Sequence, residues 1–174
     1  MSIFSSDPFA TPAHLRSPVR QARGRLASAV TLWTARHPDR GPAGLTVSSV
    51  LVVDGEPGRL LGTLDTESEA WEAIQAVGRF SVAPLTGADR QLADRFAGLL
   101  PAPGGLFAGG GWRTTAAGAL LPEHLDTWLE CRLDQARPCG WAMLVEAVIE
   151  RVELGEHADP LLHFRGRYAT LPPR

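Results

Sequence analysis

The chain has 174 residues, of which 44% are hydrophobic and 21% are charged, and its formal net charge is -2. These values are near the averages for soluble globular proteins, and they predict one domain with its own apolar core. A net charge so close to zero does not indicate a basic field for binding nucleic acid. All 17 basic residues are arginine, so no lysine is available for Schiff-base or ammonium chemistry.

The first part of the chain predicts a flexible arm, a short helix and three strands. Residues 1–16 are rich in Ser and Pro, so we expect a flexible N-terminal arm there. Ser17 and Pro18 supply a helix cap and a first helical residue, and a short helix can continue over residues 19–27. Runs rich in β-branched and aromatic residues predict strands, separated by turns, at residues 29–34, 45–53 and 59–64.

The clearest helix in the sequence covers residues 66–77. Thr66 is expected to cap it, Glu69 to complete a capping box with Thr66, and Gly78 to end it. Three apolar residues have helical spacing and predict one buried face: Trp71, Ile74 and Val77.

The second half of the chain predicts mainly strands. Residues 80–85 predict a strand, residues 88–98 a second helix, and the Gly- and Pro-rich residues 101–111 a loop. Further strands are predicted at residues 128–134, 143–154 and 161–168, the last as an edge segment. Short strands at hairpin spacing with two inserted helices favour a mainly β (α+β) fold, an antiparallel barrel with short helices.

The two cysteines, Cys131 and Cys139, leave two possibilities. If residues 131–139 form a hairpin, a disulfide is geometrically possible, but two isolated thiols are the favoured interpretation. No His-Cys cluster has metal-ligand spacing, so no metal site is expected. The N-terminus has no apolar signal core and no apolar run approaches the ~20 residues that span a bilayer, so we expect a cytoplasmic protein without membrane association.

Seven segments of the chain, taken in order, resemble the flavin reductase-like family. They are residues 24–34, 41–49, 65–68, 78–80, 91–97, 112–113 and 160–168. Each segment alone is weakly specific, whereas the ordered set spans most of the chain. The resemblance implies an antiparallel split β-barrel domain at residues 17–170, a homodimer with FMN, or FAD, at the subunit interface. It also implies that NAD(P)H reduces the flavin, which is then handed to a flavin-dependent monooxygenase.

The resemblance also assigns residues to the flavin. Thr46, Val47, Ser48 and Ser49 would line the isoalloxazine ring, whose pyrimidine edge needs donors and acceptors at fixed positions. Without the resemblance, the same run is interpreted as a half-buried strand in which hydroxyl residues alternate with valine. The remaining candidates for cofactor binding are Asp65, Ser68, Trp71, Phe80 and Arg165.

Ser68 is the candidate contact for the flavin phosphate, because the resemblance places it in the first turn of the predicted helix. The family's second hydroxyl position holds Ala70 here, and Glu67 and Glu69 flank Ser68. These carboxylates would repel a phosphate dianion, which weakens the assignment. An arginine from elsewhere would have to compensate, and the candidates are Arg16, Arg20 and Arg165.

The largest departure from the family is Trp141, where relatives carry a histidine close to the flavin and the nicotinamide. An indole can stack on either ring, but it does not titrate. Trp141 and Tyr168 are the catalytic candidates, Tyr168 because it can stack near the flavin in the family's closing segment. The alternatives are a core tryptophan at the start of a strand and, for Tyr168 and Arg165, packing between subunits.

Three functions remain open from the sequence. The first is an NAD(P)H-dependent flavin reductase that supplies a monooxygenase, which the ordered family pattern favours. The second is a flavin-binding module, a carrier or redox sensor without reductase activity, which Ala70, Ala83 and Trp141 favour. The third is a degenerate dimerisation barrel that binds no flavin, which Glu67 and Glu69 favour.

Overall fold

The computed structural model describes residues 17–156 and 159–171, so the predicted arm at residues 1–16 lies outside the described residues. The described part has three α-helices, α1 (Pro18–Gly24), α2 (Glu69–Val77) and α3 (Arg90–Phe96), and a 3₁₀ turn at Gly87–Asp89. Its strands are β1 (Ser28–Ala29), β2 (Thr31–His37), β3 (Gly41–Val47), β4 (Val50–Val53), β5 (Arg59–Asp65), β6 (Arg79–Pro84), β7 (Trp112–Thr114), β8 (Leu120–Pro122), β9 (Trp128–Cys139), β10 (Ala142–Glu153), β11 (Leu162–Phe164) and β12 (Arg167–Ala169).

Seven strands form one antiparallel sheet in the order β3-β2-β6-β9-β10-β5-β4. The two edge strands, β3 and β4, follow each other in the chain and are joined by Ser48 and Ser49. The Thr63 N–H donates to the Ser49 carbonyl at 3.2 Å, which holds this corner against β5. The sheet therefore curls into a barrel that stays open between its edges, and the predicted antiparallel split barrel is confirmed.

The prediction of one strand at residues 45–53 is wrong, because the chain turns a corner at Ser48 and Ser49. Strand β3 begins earlier, at Gly41, and pairs with β2, whereas β4 pairs with β5. Residues 45–53 are an unbroken run of apolar and hydroxyl residues. Such a run does not show where the chain changes its partner strand, so the sequence pattern predicts one strand instead of two.

Strand β2 is buried on both of its faces, because successive side chains of a strand point to opposite sides. Trp33 lies in the inner core, inside the barrel, and stacks on Phe80 with ring centroids 5.0 Å apart. Its neighbour Leu32 lies in the outer core, which packs under α3 and includes Phe96 and Leu161. The barrel wall at β2 therefore separates two apolar cores.

Helix α2 covers one end of the inner core with Trp71. It begins at Glu69, and its cap is Ser68, whose Oγ accepts the Trp71 N–H at 3.2 Å. The predicted capping box of Thr66 and Glu69 is wrong, because the turn before the helix runs two residues further than expected. Gly78 ends the helix as predicted, in the left-handed region with φ 71°. In the predicted buried face of the helix, Trp71 and Ile74 are buried, whereas Val77 is 39% exposed.

The glycine-rich loop predicted at residues 101–111 is confirmed, and its one aromatic residue, Phe107, anchors it to α3. The Phe107 ring lies 5.1 Å from Phe96 and 4.9 Å from Trp112, between centroids. Strands β7 and β8 follow as a hairpin that the sequence analysis did not predict. The single edge segment predicted at residues 161–168 forms two strands, β11 and β12, in a separate sheet with β1.

Strands β9 and β10 form the longest hairpin of the described part, with 12 residues in each strand. Strand β9 continues to Cys139, past the predicted end at residue 134, so residues 131–139 are not a hairpin. Cys131 is buried, Cys139 is exposed and both are free, which confirms the interpretation as two isolated thiols. Within the described part, none of the helices has the length and apolar character needed to cross a membrane.

Candidate functional site

The open edge of the barrel carries the first group of predicted site residues. Thr46 and Val47 end β3, and Ser48 and Ser49 form the corner that leads to β4. The side of an edge strand that has no partner presents free N–H and C=O groups. Val47 is 3% exposed, whereas Thr46 and Ser48 are half-buried and Ser49 is exposed. The carbonyls of Val47 and Ser49 accept bonds from Thr31 and Thr63, so the surface donors and acceptors of the corner are the remaining main-chain groups of its unpaired side.

Two of the three hydroxyls at this corner bond within the chain. The Thr46 hydroxyl donates to the Ala93 carbonyl of α3 at 2.7 Å. The Ser49 hydroxyl oxygen accepts the Thr63 hydroxyl at 2.7 Å and the Thr63 N–H at 3.3 Å. The Ser48 hydroxyl has no hydrogen bond to the described residues and is the one left for a ligand.

Asp65, Ser68 and Trp141 come together at one end of the β5–β10 pair. Asp65 ends β5 and lies opposite Ala142 of β10, so Trp141, the preceding residue, lies beside it. The Ser68 N–H and hydroxyl donate to the Asp65 carbonyl at 3.2 and 2.8 Å. Trp141 is 99% exposed at the turn of the hairpin, so the alternative of a core tryptophan is wrong.

Strand β5 connects this end of the sheet to the corner. Thr63, which bonds Ser49, lies two residues before Asp65, and two strand residues span about 7 Å. The structure therefore brings Ser49, Asp65, Ser68 and Trp141 to the same end of the sheet, although they are distant in sequence.

The turn that leads into α2, together with the first residue of the helix, carries negative charge that no described ion pair balances. The side chains of Asp65, Glu67 and Glu69 are exposed, and the Asp65 Oδ1 accepts the Glu67 N–H at 3.0 Å. Within the described ranges none of the three forms an ion pair, whereas Glu72 lies 2.6 Å from an Arg40 nitrogen. The described residues contain no group of three or more His, Cys, Asp or Glu that could hold a metal.

Trp71 and Phe80 do not reach the open edge. Phe80 is 0% exposed and Trp71 is 5% exposed, and both side chains pack in the inner core. Both side chains belong to the same apolar core as Val47, so they support the corner from inside the barrel.

Arg165 and Tyr168 lie in the separate sheet of β1, β11 and β12. Arg165 is exposed in the β11–β12 turn with φ 52°, and its N–H donates to the Gly24 carbonyl at 2.8 Å. Tyr168 is half-buried in β12 and its hydroxyl bonds to Asp94 of α3. No described contact joins either residue to the corner at Ser48 and Ser49. Helix α3 is the link, because it holds both Asp94 and the acceptor of Thr46.

We predict that Tyr168, the chain's only tyrosine, has a pKa well above that of a free tyrosine. Burial, the negative charge of Asp94 and the hydrogen bond to Asp94 raise the pKa of Tyr168 from 10.0 to about 12. Because the folded state holds this proton more tightly, its stabilising contribution is complete below pH 10 and is lost as the pH rises toward 12. Ultraviolet titration of tyrosinate, followed with circular dichroism, measures the midpoint.

Asp94→Asn should lower that pKa, because it removes the charge, while burial keeps the value above that of a free tyrosine. Asp39→Asn, an exposed change in the β2–β3 turn, is the control and should leave the midpoint unchanged. A folded protein whose tyrosine titrates at its ordinary pKa would contradict this assignment.

A cleft of about 390 Å³ lies beside the first turn of α2, within the size range of small-ligand sites. It is lined by Glu69, by Pro42 of β3 and by residues 104–108 of the glycine-rich loop. The sequence analysis did not identify Pro42 or Phe107 as site residues. The signal that points to this wall is the run of glycines before Trp112, which lets the loop approach the barrel.

Comparison with known proteins gives consistent matches. Residues 23–172 match a family model described as flavin reductase like domain. An FMN reductase (NADH) RutF of Methylorubrum extorquens is 35% identical over 153 residues, 88% of this chain and 75% of that protein. One of Stutzerimonas stutzeri is 30% identical over 167 residues, 96% and 94% of the two chains. The solved structure of a nitrilotriacetate monooxygenase component B homologue from Mycobacterium thermoresistibile is 27% identical with a TM-score of 0.80, covering 89% of this chain and 86% of that one.

Proposed function

The chain belongs to the flavin reductase-like family, and from this we propose that it is an NADH-dependent flavin reductase that takes FMN at the open edge of its barrel. The family match over residues 23–172 carries the proposal, and the names of the two curated relatives state FMN and NADH. FAD is a second candidate flavin. We propose that residues 17–170 act as one functional domain.

The corner between β3 and β4 suits the isoalloxazine ring. The pyrimidine edge of a flavin presents both donors and acceptors, and a free strand edge together with the Ser48 hydroxyl can meet both. The Thr46 bond to Ala93 and the Ser49 bonds to Thr63 fix the backbone on either side. We therefore assign the ring to Thr46, Val47, Ser48 and Ser49.

A bound flavin would supply the redox chemistry, because it accepts two electrons as a hydride from NADH. The contribution of the chain is to align the two rings, which is the main requirement of hydride transfer. Trp141 offers a fully exposed indole face beside Asp65 on which a ring can stack. Tyr168 stays protonated at neutral pH, since its pKa is about 12, and we assign it to positioning the C-terminal strands on α3.

We propose that the working form is a homodimer. Leu51, Val52 and Val53 of the edge strand β4 are 58%, 55% and 41% exposed in the single chain. A second copy that covers this edge would bury them and pair its free main-chain groups. Size-exclusion chromatography with light scattering tests the dimer, and Val52→Glu should weaken it.

We also propose that reduced flavin is passed to a flavin-dependent monooxygenase. The support is the related structure from Mycobacterium thermoresistibile, a protein named as a homologue of component B of a monooxygenase. A cytoplasmic location remains a prediction of the sequence.

The proposed activity is tested by mixing the purified protein with FMN and NADH. The oxidised-flavin absorbance should decay faster than in the absence of protein. Trp141→Ala should slow the decay by roughly 3- to 10-fold, the value of one aromatic stacking contact. Leu154→Ala is the matched control, because it removes another exposed apolar side chain, at the other end of β10, and should leave the rate unchanged.

Decay no faster than the uncatalysed rate, with NADH or NADPH and with FMN or FAD, would contradict the reductase. If FMN then still raised the melting temperature, the protein would be a flavin-binding module without reductase activity. That second candidate is favoured by Trp141, an exposed residue without a titrating group. If flavin did not raise the melting temperature either, the remaining candidate would be the third one, a dimerisation barrel that binds no flavin.

A further inference from the structure

The end of the proposed site that would face the flavin tail is acidic and its donors are largely used. We propose that this protein does not hold the terminal phosphate of FMN, so that riboflavin is bound and reduced at least as well as FMN. The inference rests on the proposed function, and it concerns the tail of the flavin rather than its ring.

Most of the donors around the start of α2 are satisfied within the chain, chiefly by Asp65. The Glu67 N–H donates to the Asp65 Oδ1 at 3.0 Å, and the Ser68 N–H donates to the Asp65 carbonyl at 3.2 Å. The Ser68 hydroxyl donates to the same carbonyl at 2.8 Å and accepts the Trp71 N–H at 3.2 Å. The Ser68 hydroxyl and the N–H groups of residues 67, 68 and 71 are therefore used within the chain, which leaves the N–H groups of Glu69 and Ala70 as the donors of this turn without a bond to the described residues.

The charge at the same turn opposes a phosphate. Asp65, Glu67 and Glu69 are exposed and have no ion pair within the described ranges. Two like charges repel when they lie within a Debye length in water, and a phosphate dianion doubles each repulsion. Since riboflavin ends in a neutral hydroxyl, it avoids this repulsion, which we expect to amount to roughly tenfold in affinity.

The arginines considered as compensation are placed elsewhere. Arg165 lies in the β11–β12 turn, where its N–H bonds Gly24 at the end of α1, the helix that also carries Arg20. Both arginines thus belong to the side of the separate three-stranded sheet. Arg16 lies outside the described residues. Arg40 lines a small pocket together with Glu69, but its guanidinium pairs with Glu72 of α2 at 2.6 Å.

The test is a fluorescence titration of the full chain with riboflavin and with FMN at low and high salt. The Kd of riboflavin should be no larger than that of FMN. Added salt should lower the Kd of FMN and leave that of riboflavin nearly unchanged, because salt screens only the charged ligand. The maximum rates of NADH oxidation with the two flavins should be similar, since the ring site is the same.

Glu67→Gln combined with Glu69→Gln should lower the Kd of FMN roughly tenfold and leave that of riboflavin within about twofold. The matched control is Glu56→Gln, an exposed charge removal in the β4–β5 turn at the other end of β5, which should change neither Kd.

Tighter binding of FMN than of riboflavin by the unmodified protein would overturn the inference and leave the proposed function intact. A double variant that leaves the ratio of the two Kd values unchanged would also overturn it. Binding of neither flavin would overturn the proposed function together with the inference.

Discussion

Replacing Trp33 by alanine is expected to lower the free energy of unfolding by about 3–5 kcal/mol, the range for truncating a large core aromatic. Trp33 is 0% exposed and stacks on Phe80. Its indole N–H donates to the Thr31 hydroxyl at 3.0 Å. On its other side the backbone of β5 approaches so closely that a Cβ at Gly62 would lie 2.7 Å from the ring. A strand held by two neighbours cannot collapse into the space, so a cavity would remain.

Chemical denaturation followed by circular dichroism measures this loss. The control is the same substitution at Trp141, which is 99% exposed and should change stability by less than about 0.5 kcal/mol. Equal losses at the two tryptophans would contradict the assignment of Trp33 to the core. Because Trp141→Ala should also slow NADH-dependent flavin reduction, the pair separates a side chain that holds the fold from one that serves the site.

Replacing Asp89 by alanine is expected to cost about 2–4 kcal/mol, because buried hydrogen bonds to a charged group are lost together. Asp89 is 5% exposed, and its Oδ2 accepts the Thr86 N–H at 2.8 Å and the Thr86 hydroxyl at 2.7 Å. Its Oδ1 lies 2.7 Å from the His124 Nε2, which donates to it. The carboxylate thus ties the start of α3 to the segment between β8 and β9.

The loss at Asp89 is measured by thermal and chemical denaturation. Asp54→Ala is the control, because Asp54 is exposed in a turn and accepts one local bond, from the Gly55 N–H. Its expected loss is below about 0.5 kcal/mol. An Asp89→Ala protein as stable as the control would show that the three hydrogen bonds to Asp89 make no net contribution to the free energy of unfolding. Weaker flavin binding by the same variant would indicate that α3 supports the corner through Ala93 and Thr46.

The open edge of the barrel connects fold and proposed function. Free strand edges attract other strands, and proteins normally pair or cover them. Here β3 and β4 are both edges, and the corner that joins them carries Ser48 and Ser49. A ligand at the corner and a second copy on β4 would cover groups that the single chain leaves free. We therefore expect the flavin and the second copy of the chain to bind where the barrel does not close.

The sequence located most of the candidate site, but not the state of its residues. The order of the family segments pointed to the β3–β4 run and to the turn before α2. Residue spacing could not show that Ser68 is the cap of α2, nor that its hydroxyl both donates a hydrogen bond to Asp65 and accepts one from Trp71. Nor could it show that Trp141 is exposed while Phe80 is buried, since both are aromatic residues near strand ends. Exposure depends on which strands lie alongside, and that is a long-range property.

What the sequence determined by itself is local. The glycine at position 78 ends α2, the glycine-rich loop interrupts the second half, and β-branched runs make strands, because these follow from backbone conformations that neighbouring residues set. Partner choice was decided only in three dimensions. The run at residues 45–53 splits between two edges of one sheet, and β2 has apolar residues on both faces, because each segment buries its side chains against strands far away in sequence. The proposed flavin corner arises at that split.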